Sequence, residues 1–198
     1  GLLALTYVRR NRVLLKDMKT GDTLQTWTDF KAPYGILIEQ NGSLLVARHD
    51  DGTLMRLSLD EPDQQTVIAE SLDGPVGLAW AEKDKSVYIA EALAGRVSRI
   101  DLSTGERQTV AEGLSQPEGL AVLPDGRIVI TEVGAAQVVA ADVKRGDKTV
   151  LADDLALGGP ISRAPHPVGM PTGIAVSQQG TVYVVTDANN GLIKLVRE

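Results

Sequence analysis

The chain has 198 residues, a formal net charge of −6, a pI near 5.0 and 43% hydrophobic content. That length holds one large domain or two small ones around a filled core, and the acidic balance excludes a surface built for nucleic acid or anionic membrane, because phosphate binding needs clustered Lys and Arg. Cysteine is absent, which excludes disulfides and thiolate metal sites, and no apolar run reaches the roughly 18 residues of a membrane-spanning helix.

In chain order, residues 3–6, 13–16 and 24–27 read as three short strands, with Arg9, Arg10 and Arg12 in the first turn between them. That basic cluster reads as a solvated turn, too small to hold RNA. From residue 33 a Pro-x-Gly-apolar motif recurs as Pro33-Tyr34-Gly35-Ile36, Pro75-Val76-Gly77-Leu78, Pro117-Glu118-Gly119-Leu120 and Pro171-Thr172-Gly173-Ile174. The interval is 42 residues from 33 to 75 and from 75 to 117, and 54 from 117 to 171. A fixed period of this size is the mark of a repeat architecture. It divides one propeller unit of 1–198 into 1–32, 33–74, 75–116, 117–170 and 171–198.

The third full unit shows the internal grammar. Residues 120–123 form a first strand, a, and Pro124-Asp125-Gly126 turns the chain, since Pro presets φ while Asp and Gly accept the left-handed geometry of tight hairpins. Strands b, c and d follow at 128–131, 137–141 and 149–151, with turns at Gly134 and at 144–147. The inner strands are almost continuously apolar, as are residues 36–38 and 44–46. Such strands are covered on both faces, which suits a blade sandwiched between two others. The predicted fold is therefore all-β, about 18 strands in four-stranded antiparallel propeller blades.

The two end units are incomplete. Matching Asp17 and Gly21 to Asp142 and Gly146 makes the first unit strands b, c and d. Residues 173–176, 181–185 and 192–196 make the last unit strands a, b and c. The expectation is a partial propeller from a six-bladed parent, with apolar end faces covered by further blades or by self-association. Between 152 and 171 lie about 12 extra residues, including Gly158, Gly159, Pro160, Pro165, His166 and Pro167. A long insertion in a compact repeat is a lid or a simple variation.

Pro-x-Gly-apolar, an Asp-Gly or Asn-Gly turn, a strand ending in Ala-Glu or Thr-Glu, and a third strand such as residues 95–101 together resemble the NHL-repeat propellers. The pattern is similar also to the SMP-30/gluconolactonase-like, strictosidine-synthase-like and streptogramin-lyase propellers. The resemblance covers essentially the whole chain and is specific for architecture. It implies a ligand-binding or protein-binding scaffold with a small molecule or protein at the channel mouth, and slightly favours an extracytoplasmic location. The alternative it implies is a metal-dependent hydrolase or lyase acting on a small molecule.

In this architecture the d-to-a connections and the b-to-c turns share the mouth face. The mouth residues are then Tyr34, Val76, Glu118 and Thr172 at the x positions, and Tyr7, Arg48, Glu91, Glu132 and Asp187 at the exits of strand b. Glu91, Glu118, Glu132 and Asp187 recur at matching places. They read either as oxygen ligands of a Ca²⁺ or Mg²⁺ ion or as caps of the following turns. The gluconolactonase-like ligand set of Glu, Asn and Asp is met by Glu118 but not by Tyr34, Val76 or Thr172. Tyr34, Arg48, His49, Thr172 and His166 are candidate ligand contacts; His49 stands in a turn that offers a general base or, more simply, a solvent-exposed side chain. Residues 187–191 fit an Asn-Gly hairpin better than a Ca²⁺ loop. No phosphate loop, dinucleotide fingerprint or Gly-x-Ser-x-Gly is present, so no nucleotide or organic cofactor is expected.

Overall fold

A computed structural model of the chain describes residues 1–40, 42–81, 85–158 and 172–196. Its strands form five small antiparallel sheets in a partial propeller. The first sheet is β1 (Leu2–Tyr7), β2 (Arg12–Asp17) and β3 (Thr23–Trp27). Three four-stranded sheets follow: β4 (Pro33–Ile38) to β7 (Gln65–Ala69) through β5 (Leu44–Arg48) and β6 (Thr53–Leu57); β8 (Pro75–Trp80) to β11 (Arg107–Ala111) through β9 (Ser86–Glu91) and β10 (Arg96–Asp101); and β12 (Pro117–Val122) to β15 (Lys148–Ala152) through β13 (Ile128–Glu132) and β14 (Gln137–Ala141). The last is β16 (Ile174–Val176), β17 (Val182–Thr186) and β18 (Gly191–Leu195). Among the described residues no helix is long and apolar enough to cross a membrane.

Packing runs from each sheet to the next in chain order. Val13, Trp27 and Phe30 meet Leu44, Val46 and Met55. Leu45, Leu54 and Leu72 then meet Val87, Ile89 and Ile100. Ala90, Val97 and Leu114 meet Leu120, Ile128 and Ile130, and Val129, Val138 and Ala140 meet Val182 and Val184. In the inner strands successive residues bury on opposite faces, which is why residues 44–46 and 87–90 are apolar without alternation. The two end sheets lack that double cover. Leu2, Leu24, Leu192 and Val196 are all large, apolar and exposed.

The repeated glycine has a steric cause. A Cβ on Gly35 would overlap the Val76 carbonyl oxygen, one on Gly77 the Glu118 carbonyl oxygen, and one on Gly119 the Thr172 carbonyl oxygen. The innermost strands therefore approach closely enough that only glycine fits between them. Each x residue in turn rests its carbonyl on the preceding sheet's glycine.

Candidate functional site

At every Pro-x-Gly the register between the innermost strand and its neighbour shifts, between Pro33 and Ile36, Pro75 and Leu78, and Pro117 and Leu120. A bulge of this kind re-aims a side chain at a strand end. It places Tyr34, Val76 and Glu118 in one row along the channel, and Thr172 continues it. The row is pinned from behind at two points. Thr6 Oγ1 donates to the Tyr34 carbonyl at 2.9 Å, and the Gly119 amide donates to Thr131 Oγ1 at 2.7 Å.

Glu118 is buried, with 2% of its surface exposed. Its Oε2 accepts the Thr172 amide at 2.9 Å. Burial pushes the carboxyl up to about 7; the Thr172 amide opposes the shift, and the nearby Asp187 charge adds to it. Tyr34 is pushed up to about 12 by burial and then by the charges of Glu118 and Asp50. His49 meets the Tyr34 ring edge-on, with centroids 5.5 Å apart, and its Nδ1 lies 2.9 Å from Asp50 Oδ1. The turn that sequence reading makes solvent-exposed is thus folded inward, and His49 is 6% exposed. Ala32, Tyr34, Val76 and Ala92 form an apolar cluster beside this polar group.

The other three predicted carboxylates behave differently. Glu91 is fully buried and accepts from Arg96 Nε at 2.8 Å, Ser98 Oγ at 2.5 Å and the Asp73 amide at 2.9 Å. Burial opposes its ionisation, but Arg96, Ser98 and the amide prevail and hold it below the ordinary carboxylate range. Glu132 accepts the Ser115 amide at 2.8 Å and Gln137 Nε2 at 2.7 Å. Asp187 accepts the Gly158 amide at 2.9 Å. Each carboxylate at a strand b exit therefore ties down the connection entering its own sheet. Arg48 breaks the series: it pairs with Asp51 and stacks on Phe30 at 5.5 Å.

Among the described residues no three His, Asp or Glu side chains stand close enough to share an ion. Glu118 and Asp187 feel each other's charge, yet two carboxylates fall short of the six or more oxygens that Ca²⁺ takes. His166 lies outside the described residues. Sequence reading missed Thr131 and Thr6, although the units carry the signal: the position before the strand b exit is Ala47 and Ala90 in two sheets but Thr131 and Thr6 in the others.

Comparison with known proteins supplies the remaining facts. Virginiamycin B lyase from Nocardia farcinica is 28% identical over 170 residues, which is 82% of this chain and 51% of that protein. The chain thus spans about half the length of that relative. Among solved structures, an inactive virginiamycin B lyase from Staphylococcus aureus bound to quinupristin superposes with a TM-score of 0.76 at 17% identity, over 100% of this chain and 64% of that one. A gluconolactonase from Xanthomonas campestris superposes with a TM-score of 0.71 at 19% identity, over 98% of this chain and 71% of that one. At those identities the two structures establish the propeller fold alone. The SMP-30/gluconolactonase/LRE-like region matches residues 39–151, more than half of the sequence, and the chain belongs to that family.

Proposed function

We propose that the chain supplies the ligand-binding mouth of a small-molecule-binding propeller, with Glu118 as the group that meets the ligand. The observation that carries this reading is the contrast between Glu118 and the strand-end carboxylates. Glu91 is saturated by strong donors and stays ionised, whereas Glu118 receives one backbone amide and titrates at about 7. Near neutral pH it offers either a hydrogen-bond donor or an acceptor. The polar side of the row, Glu118 and Thr172, adjoins the apolar side, Tyr34 and Val76, as in small-molecule pockets generally.

A second reading, turnover of the ligand by a lyase or hydrolase, is favoured by the named activity of the virginiamycin B lyase relative. A carboxyl that titrates near neutrality suits general acid–base work. Ion-assisted chemistry is not part of this reading, since the described residues do not form an ion's ligand set.

The test is to follow the Glu118 carboxyl by ¹³C NMR from pH 5 to 9, alone and with gluconolactone or quinupristin, while assaying both compounds for conversion. A ligand that shifts the titration, and no longer binds to Glu118→Gln, supports the binding reading. Conversion by the wild type alone supports turnover. A titration unmoved by both compounds at millimolar concentration leaves Glu118 as a buried structural acid and defeats both readings for these ligands.

A further inference from the structure

In the three complete sheets the outermost strand enters by one rule. β7, β11 and β15 pair antiparallel with β6, β10 and β14, and each slips register just before a closing alanine: Ala69 opposite Leu54, Ala111 opposite Val97, Ala152 opposite Val138. The first residue of β11 and of β15 is basic and reaches back to the connection leaving the preceding sheet. Arg107 donates to the Ser71 carbonyl at 2.7 Å, and Lys148 donates to the Glu112 and Gly113 carbonyls at 2.8 Å. The turn ahead of the strand is seated too, since a Cβ on Gly105 would overlap the Ile68 carbonyl oxygen.

The last sheet has the socket for such a strand without the strand. Among the described residues β18 pairs with β17 alone. Beside its open edge lies a cavity of about 370 Å³, walled by Leu123, Leu151, Val182, Leu195 and Val196. In the repeat Leu195 matches Ile100, which is fully buried, and Leu151 matches Ile68. Leu151 is instead 39% exposed. The connection that would receive a basic side chain is Asp153 and Asp154, which match Glu112 and Gly113 and are both exposed. Their carboxylates add negative charge beside the carbonyls that await a cation.

We propose that this groove is a strand acceptor, and that its occupant is an extended peptide segment that begins with Lys or Arg, closes four residues later in Ala, and carries Thr and Val between. Main-chain hydrogen bonds to β18 supply the affinity, as in other strand-addition complexes, and the basic side chain over residues 153–154 sets direction and register. The apolar residue at the register slip fills the cavity against Leu151 and Leu195.

The probe is a fluorescein-labelled synthetic peptide with the sequence of residues 142–152, which spans a turn and a fourth strand of this repeat. Titrated into the full chain, it is expected to give saturable anisotropy and to slow amide exchange at residues 191–195. Changing its Lys148 to Glu, or the protein's exposed Asp153→Lys, is expected to weaken binding about tenfold, the effect of one lost charge contact. Equal binding of a scrambled peptide, or no saturation at millimolar concentration, overturns the proposal. So does slow exchange at 191–195 in the free chain together with dimers in sedimentation, which would make a second copy the occupant.

Discussion

At the scale of single residues, burial of Glu118 has a thermodynamic consequence of definite sign. Its folded pKa of about 7 exceeds the ordinary 4.5, so the folded state holds the proton more tightly and is favoured while that proton is retained. The contribution is complete below pH 4.5 and is lost as pH rises through 7. A shift of that size corresponds to about 3 kcal/mol. Urea unfolding at pH 5 and pH 8 should show the wild type losing stability across this interval relative to Glu118→Gln, which has no proton to lose. Glu91 runs the other way. Held below its ordinary value by Arg96, Ser98 and an amide against its burial, it stabilises above pH 4.5 and ceases to do so as pH falls through its lowered pKa. Glu91→Ala leaves Arg96 without its partner and the Asp73 amide unpaired, and should lower stability at pH 7 by about 3 kcal/mol. Thermal melts at pH 7 and pH 3 measure it, and the penalty should shrink at the lower pH.

At the scale of elements, the Pro-x-Gly strand start joins packing to the site. Its glycine admits the next sheet's carbonyl, its bulge turns the x side chain along the channel, and its proline begins the strand where no ladder donor is needed. Gly77→Ala sets a methyl against the Glu118 carbonyl oxygen, so two inner strands must separate. The expected loss is about 3 kcal/mol or more, together with a displaced Glu118 resonance. Gly126 provides the control. It has φ of +86° and no neighbour near a Cβ, so Gly126→Ala should cost only the backbone strain of about 1 kcal/mol and leave the Glu118 titration unchanged.

At the scale of the whole molecule, five sheets stack as a partial propeller with apolar side chains bare at both ends. Leu192 is 68% exposed, while its counterparts Leu54, Val97 and Val138 are fully buried by the next sheet. Exposed apolar faces and open strand edges favour association. Light scattering is expected to find assemblies larger than one chain, and Leu192→Lys should raise the monomer fraction without lowering the melting temperature. A wild type that stays monomeric at high concentration would contradict this expectation.

The blades were legible in the sequence because their causes are local: Pro-x-Gly recurs where inner strands crowd, Asp-Gly and Asn-Gly mark hairpins, and continuous apolar runs announce strands covered on both sides. The mouth position of Glu118 was legible for the same reason, as a fixed place within a repeat. The fate of the other acidic residues was not. Glu91, Glu118 and Glu132 look alike in the chain, and what separates them is whether Arg96, Gln137 or only the Thr172 amide arrives through space. His49 turned inward for a similar reason: the Tyr34 ring and Asp50 offered it a partnered, buried place that no spacing in the sequence records. Local sequence determined where each strand begins and which side chains reach the mouth, whereas tertiary contacts alone decided which of those side chains hold their charge, because ionisation depends on burial and on partners brought from distant parts of the chain.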